Sequence, residues 1–300
     1  MTFSETELAK LPDLAEINRR IAGFSTSLIA IKEDSHGGTP EWGASGTLIK
    51  VRDWPCILTA QHVVRRLKQY EELALVIKTG AHRFSIPMDH LTVLEITERL
   101  EDEWGPDLAA LLLPRDRGKE IEARGKAFFN LDLHHSDIDL SLFPNEESAV
   151  ILPRNPSTPL LLWAVSGVPA ERSEFGQRIS RVRGVTGVSG LVQQTLRGGF
   201  QYLDVGVLYE AGTEPPKSFQ GMSGGGLWLM PYNRSSEGVL SWSGRALLAG
   251  VAFYETDREP NPKFVRCHGP LDVYGRAYQG IADEVKRILG KQGPRGEQPR

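Results

Sequence analysis

The chain has 300 residues, of which 40% are hydrophobic, 24% charged and 8% aromatic, with a formal net charge of −3. That length supports a sizeable core in two domains or in one two-lobed all-β unit, and the composition is that of a globular chain, not a disordered or fibrous one. The small net charge argues against nucleic acid or an anionic membrane as the main partner, and no run reaches the roughly 18 consecutive apolar residues that a membrane-spanning helix needs.

Residues 4–22 are polar, with Leu8, Leu11, Leu14, Ile17 and Ile21 at three- or four-residue spacing. This predicts an amphipathic helix, capped by Ser4 or Thr6, that packs on the outside of the strand-rich remainder of the chain. From Ser25 the period changes to short β-branched runs broken by Gly, Pro and Asp clusters: STSLIAIK, ASGTLIKV and CILTA, with a loop expected over 33–43. LALVIKTG, HRFSIP, LTVLEI and the buried run DLAALLL continue the pattern, enough strands for one small barrel over roughly 25–115. A short helix fits RGKEIEARGKAFF, and Pro153-Arg154-Asn155-Pro156 reads as a connector. A second strand-rich half comes next, in LLLWAVSG, ISRVRGVTG, GLVQQT, QYLDVGVLY, GGGLWLM and ALLAGVAFY. The periodic stretch over roughly 275–290 predicts a closing helix, and KQGPRGEQPR a disordered tail. The expected organisation is therefore a helix over 1–24, a first lobe over 25–150, a second lobe with its helix over 151–290, and a tail over 291–300.

Two cysteines, Cys56 and Cys267, are too few for a disulfide framework, although one bridge between them stays open. Residues 1–20 place acidic residues early and lack an apolar run before a cleavage site, so a cytoplasmic location is expected. Cys56 reads as a small buried hydrophobe and Trp228 as core. His134-His135 and Cys267-His268 lack the spacing of a zinc site, so no metal and no cofactor is expected. Arg19-Arg20 and Arg65-Arg66 read as solvated helix faces.

A serine hydroxyl is a weak nucleophile unless a base takes its proton, and the base works best when a third group fixes its tautomer. Three segments supply those residue types in order. In Leu58-Thr59-Ala60-Gln61-His62, an apolar strand ends and His62 opens a short turn or helix. Asp107 stands at the lip of the buried run Asp107-Leu108-Ala109-Ala110-Leu111. Ser223 is bracketed by glycines in Gly221-Met222-Ser223-Gly224-Gly225-Gly226, where the backbone can turn sharply and aim amide N–H groups at an oxyanion. Asp139, in Asp137-Ile138-Asp139-Leu140, is the competing acid; Asp102 and Asp116 read as solvated loop charges.

LTAQHVV, PDLAALLL and GMSGGGL together resemble the trypsin-like, chymotrypsin-fold serine peptidases, and look most like bacterial members that need no N-terminal cleavage. The resemblance spans roughly 25–260. It implies an all-β fold of two six-stranded antiparallel barrels, to which the periodicity adds a helix at each end. It also implies a serine endopeptidase in which His62 is the base, Asp107 orients it and Ser223 attacks. The N–H groups of Gly221 and Ser223 would form the oxyanion hole. Met222 stands where digestive members carry an aspartate that pairs with a new N-terminus, so that switch is absent. By the family's spacing Lys217 lies at the floor of the specificity pocket, and Phe253, Tyr254 and Glu255 lie where substrate backbone pairs. Lys217 would favour an acidic side chain and Glu255 a basic one, and the specificity stays open. The expected partner is a protein or peptide substrate, with room for a regulatory protein.

Gly221-x-Ser223-x-Gly225 also fits the nucleophile elbow of α/β-hydrolases, but GGGLWLMPY is poor helix material and no βαβ alternation precedes it. The rival from another class is a catalytically silent or partner-gated module of the same fold that binds a peptide or protein.

Overall fold

A computed structural model describes residues 13–32, 38–77, 83–97, 105–137, 160–170, 173–175, 180–182, 185–208, 218–236, 239–256 and 264–291. The fold is the expected all-β one, built among the described residues as two successive large, mainly antiparallel sheets and a two-stranded one, with a helix before the first sheet and another after the last. The expected connector at 153–156 and the tail beyond 291 lie outside the described residues.

Helix α1 (Leu14–Gly23) turns the predicted apolar positions inward: Ile17 and Ile21 are buried against Trp228 and its neighbours. The helix over 4–22 is not continuous, because Asp13 takes a left-handed φ of 76° immediately before Leu14; residues 1–12 are outside the described set. A short polar Asp tolerates that conformation and so begins the described helix.

The first sheet contains β1 (Ser25–Lys32), β2 (Thr39–Val51), β3 (Trp54–Thr59), β4 (Glu72–Val76), β5 (Phe84–Pro87), β6 (Thr92–Glu95), β7 (Ala109–Leu112) and β8 (Phe129–Asn130). Its order is β5-β4-β1-β2-β3-β7-β6, with β8 lying parallel beside β2. The run WPCILT is buried at all six positions of β3, as expected of a strand covered on both faces. A two-residue turn with Arg52 at φ 50° and Asp53 at φ 59° joins β2 to β3, matching the right-handed twist of a hairpin. Part of the loop expected over 33–43 is strand instead: β2 starts at Thr39 and pairs with β1 through Trp42. Pro40 hides this in the sequence. It lacks an N–H, and the ladder shifts register at Ala30/Ile31, opposite it.

Among the described residues three short α-helices interrupt the strands: α2 (Gln61–Leu67), which begins beside His62, α3 (Arg115–Ala123), which overlaps the helix expected in RGKEIEARGKAFF, and α4 (Leu131–His134); a 3-10 turn over Met88–His90 separates β5 from β6. The second half contains β9 (Leu160–Gly167), the pair β10 (Ser173–Phe175) and β11 (Ser180–Val182), then β12 (Val185–Arg197), β13 (Phe200–Leu208), β14 (Gly226–Arg234), β15 (Leu240–Trp242), β16 (Leu247–Thr256) and β17 (Phe264–His268). Strands β9, β14, β16, β17, β13 and β12 pair in a closed ring of six, with β15 attached to β14. The closing helix starts earlier than predicted, as a π-helical turn over Leu271–Ala277 that runs into α5 (Tyr278–Lys291).

One apolar cluster fills the first sheet, with Leu28, Leu48, Ile57, Leu73 and Ile86. A larger one gathers Leu58 and Leu108 with Trp228, Leu227 and Val251, so the two sheets share core. Each such side chain removed from water contributes about 1.5–3 kcal/mol. Cys56 and Cys267 are free and buried, which closes the question of a bridge, and burial pushes both thiols up. Among the described residues no helix is long and apolar enough to cross a membrane.

Candidate active site

Strand β3 ends at Thr59, and α2 places His62 in its first turn. Gln61 anchors that turn from a fully buried position. Its amide donates to Glu95 Oε2 at 2.7 Å and to the Thr97 carbonyl at 2.5 Å, and its oxygen accepts from Thr97 Oγ1 at 2.6 Å. Lys68, just past the end of α2, donates to Glu95 Oε1 at 2.5 Å. That hydrogen bond, aided by those from Gln61 and Arg65 and opposed by partial burial, holds the Glu95 carboxyl down at about 2.

Asp107 sits just before β7 and is 5% exposed. The backbone N–H of His62 donates to its Oδ1 at 2.8 Å, and His62 Nδ1–H donates to its Oδ2 at 2.5 Å. Two donors from one residue on one carboxylate fix both the place and the tautomer of the imidazole, leaving Nε2 as an acceptor. Asp107 in turn donates its backbone N–H to Nε2 of the buried His268 at 3.0 Å.

The serine loop runs through Phe219–Gly225 ahead of β14. Its turns are closed by Met222 N–H to the Phe219 carbonyl at 2.9 Å and Gly225 N–H to the Met222 carbonyl at 2.8 Å. Gly221 and Gly224 take φ of 91° and 92°. A Cβ on Gly224 would stand 2.0 Å from the Ser45 carbonyl oxygen, so only glycine lets this loop reach β2. Three hydrogen bonds hold it there. Ser45 Oγ donates to the Gly221 carbonyl at 2.8 Å, Ser45 N–H to the Ser223 carbonyl at 3.0 Å, and Thr47 Oγ1 to the Gly224 carbonyl at 3.0 Å. Met222 is buried against Gly167.

The Gln220 carbonyl accepts from Ala170 N–H at 2.7 Å. In a planar trans peptide the N–H opposes the carbonyl, so this bond turns Gly221 N–H away from Ala170. Ser223 Oγ donates to the Phe253 carbonyl at 3.3 Å. His62, Asp107 and Ser223 line one cavity of about 330 Å³, together with Phe253, Tyr254 and Glu255.

Of the residues predicted to meet substrate, Tyr254 is 39% exposed, whereas the Phe253 ring turns inward onto His268 with centroids 4.7 Å apart. Glu255 Oε2 accepts from Ser218 Oγ at 2.7 Å and from Phe219 N–H at 2.9 Å, clamping the segment that leads into the serine loop. Lys217, and the rival acid Asp139, lie outside the described residues. His134 Nδ1 bonds Asp137 at 2.7 Å and its ring stacks on Phe129. Among the described residues no group of three or more His, Cys, Asp or Glu side chains is arranged to hold a metal.

Ser45, Thr47 and the pair His268 and Asp272 carry no motif that marks them in the sequence. Gln61 has a local signal, since it adjoins His62; the contacts of Ser45, Thr47 and His268 with the site span separations of 161 to 177 residues that no local pattern records.

No protein-family model matches the sequence, and no curated protein matches it. Among solved structures, the chain is similar to a thermostable serine protease, AL20, from an extremophilic microorganism. The identity is 13% and the TM-score 0.40, over 88% of this chain and 98% of that one. A likeness at that level carries no argument about activity, which rests on the site itself.

Proposed function

We propose that the chain is a serine endopeptidase with Ser223 as nucleophile, His62 as general base and acid, and Asp107 as the orienting acid. One observation carries the reading. His62 is held by two hydrogen bonds to a single buried carboxylate and faces the same cavity as a serine on a glycine-built loop. With Nδ1–H committed to Asp107, His62 Nε2 is free to take a proton. Ser223 Oγ leaves the Phe253 carbonyl by a side-chain rotation, gives its proton to Nε2 and bonds to the acyl carbon of the substrate. The N–H groups of Gly221 and Ser223 receive the oxyanion, supported by the tie between Gln220 and Ala170. His62 then protonates the departing amine. Water deacylates the enzyme with His62 again as base.

The substrate is a peptide or protein lying along Phe253–Glu255. Met222 in place of an acid supports an enzyme that needs no N-terminal cleavage. A cytoplasmic location belongs to the same proposal, supported by two thiols that remain unpaired.

A second reading is a silent or partner-gated module that binds a peptide. It draws on the Ser223 hydroxyl, which is bonded to the Phe253 carbonyl and not to His62. Labelling with a fluorophosphonate, with the adduct located by peptide mass spectrometry, separates the two. Adduct at Ser223 in the wild type and none in Ser223→Ala supports the peptidase. Adduct only with cell extract present supports gating, and no adduct under either condition overturns the enzymatic reading.

A further inference from the structure

Behind Asp107 lies a second imidazole–carboxylate pair. His268 ends β17 and Asp272 opens the π-helical turn; both are 0% exposed. Asp107 N–H donates to His268 Nε2, so that nitrogen carries no proton and the ring's proton is on Nδ1. His268 Nδ1–H donates to Asp272 Oδ2 at 2.8 Å, and the same oxygen accepts from Gln201 N–H at 3.0 Å. Arg276 Nε lies 3.5 Å from the other oxygen, Oδ1. The ring is boxed by Phe253, Tyr202 and Phe200, with centroids at 4.7, 5.4 and 6.0 Å. Gly269 completes the turn between the pair, since a Cβ there would stand 2.4 Å from Gln201 Oε1, the oxygen that accepts from Leu271 N–H.

We propose that His268 and Asp272 are positioning residues. Asp272 fixes the tautomer of His268, His268 pins the backbone of Asp107, and Asp107 thereby meets His62 with both carboxylate oxygens. Resting on the proposed function, this extends the catalytic chain inward across the two sheets. Packing alone does not account for it. Apolar side chains of the same volume would fill this space without the cost of burying a carboxylate and an imidazole, so packing by itself does not call for this pair. The acceptor is also matched to a specific donor. Asp107 N–H precedes β7, whose pairing with β3 begins at Ala109, and it finds its partner in His268 instead of a strand neighbour.

The test compares His268→Gln with His268→Asn in the full-length chain. Both are polar, but the Gln oxygen reaches the Nε2 position and can still accept from Asp107 N–H, whereas the Asn oxygen stops near Nδ1. Two readouts are taken: the fluorophosphonate labelling rate per folded molecule, and the far-downfield proton resonance of His62 Nδ1–H, identified by its loss in His62→Ala. The Asn variant is expected to label about 10- to 100-fold more slowly and to lose the resonance, while Gln keeps the resonance and recovers most of the rate. Equal labelling by the two folded variants overturns the proposal, as does a folded Gln variant without the resonance. If the wild type does not label, the assignment of Ser223 fails, yet the resonance still decides whether His268 positions the His62–Asp107 pair.

Discussion

Replacing Ser45 by Ala removes an atom that two backbone groups depend on. Ser45 is 1% exposed; its Oγ donates to the Gly221 carbonyl and accepts from Val168 N–H, each at 2.8 Å. Ala fits the space but leaves both groups without that partner. An orphaned buried group costs about 1–3 kcal/mol, and Gly221 is half-buried, so its carbonyl regains some hydration. The expected loss is about 2–4 kcal/mol, or a fall in Tm of roughly 3–6 °C for a chain of this size. The backbone bond from Ser45 N–H to the Ser223 carbonyl survives, so the serine loop is loosened and not released. Labelling per folded molecule should then fall about 10- to 100-fold, because small misplacement at a reacting centre is costly. The control is Ser27→Ala, which loses one long bond of 3.4 Å to the Ala44 carbonyl and should cost under about 1 kcal/mol. Denaturant melts and labelling kinetics on the three proteins decide. A Ser45→Ala protein no less stable than Ser27→Ala, labelling at the wild-type rate, would refute the claim that β2 seats the serine loop.

Asp107→Asn should lower labelling by about 10³-fold or more, since the amide no longer holds His62 in the productive tautomer, while Asp139→Asn should leave it unchanged; the reverse outcome moves the acid to Asp139. Glu95 titrates lower in the fold than its ordinary value near 4.5, so its contribution is present above that value and is lost as pH falls toward 2. Solvent access limits the contribution to about 1 kcal/mol. Glu95→Gln should therefore be less stable than the wild type at pH 7 by that amount, with the gap narrowing below pH 4.5 and closing near pH 2 in parallel urea melts. A gap independent of pH would show that the ion pairs around α2 do not stabilise it.

The strands with unbroken apolar or β-branched runs are legible in the sequence: LLLWAVSG is β9 to the residue, and DLAALLL contains β7. Their burial is written locally, in consecutive residues. Strand β17 is not, because FVRCH looks polar. Arg266 is buried by a bidentate pair with Asp204 at 2.7 and 3.0 Å, and His268 by Asp272, so the polarity is cancelled by partners that the local run does not contain. The candidate site divides the same way. His62, Asp107 and Ser223 announce themselves through neighbours in sequence: a strand end, a strand lip and a run of glycines. The residues that hold them in place, Ser45, Thr47 and His268, look like ordinary strand residues until the two sheets are brought together.

The separation of those partners has a consequence in time. The serine loop is seated by residues 176 and 177 positions earlier, and Asp107 is pinned by a residue 161 positions later. At about 5–20 residues per second, a ribosome needs roughly 10–30 s to travel from Asp107 to His268. His62 and Asp107 are made before Ser223, and Ser223 before His268. Under the proposed function, the site can act only once Ser223 and then His268 have both been made.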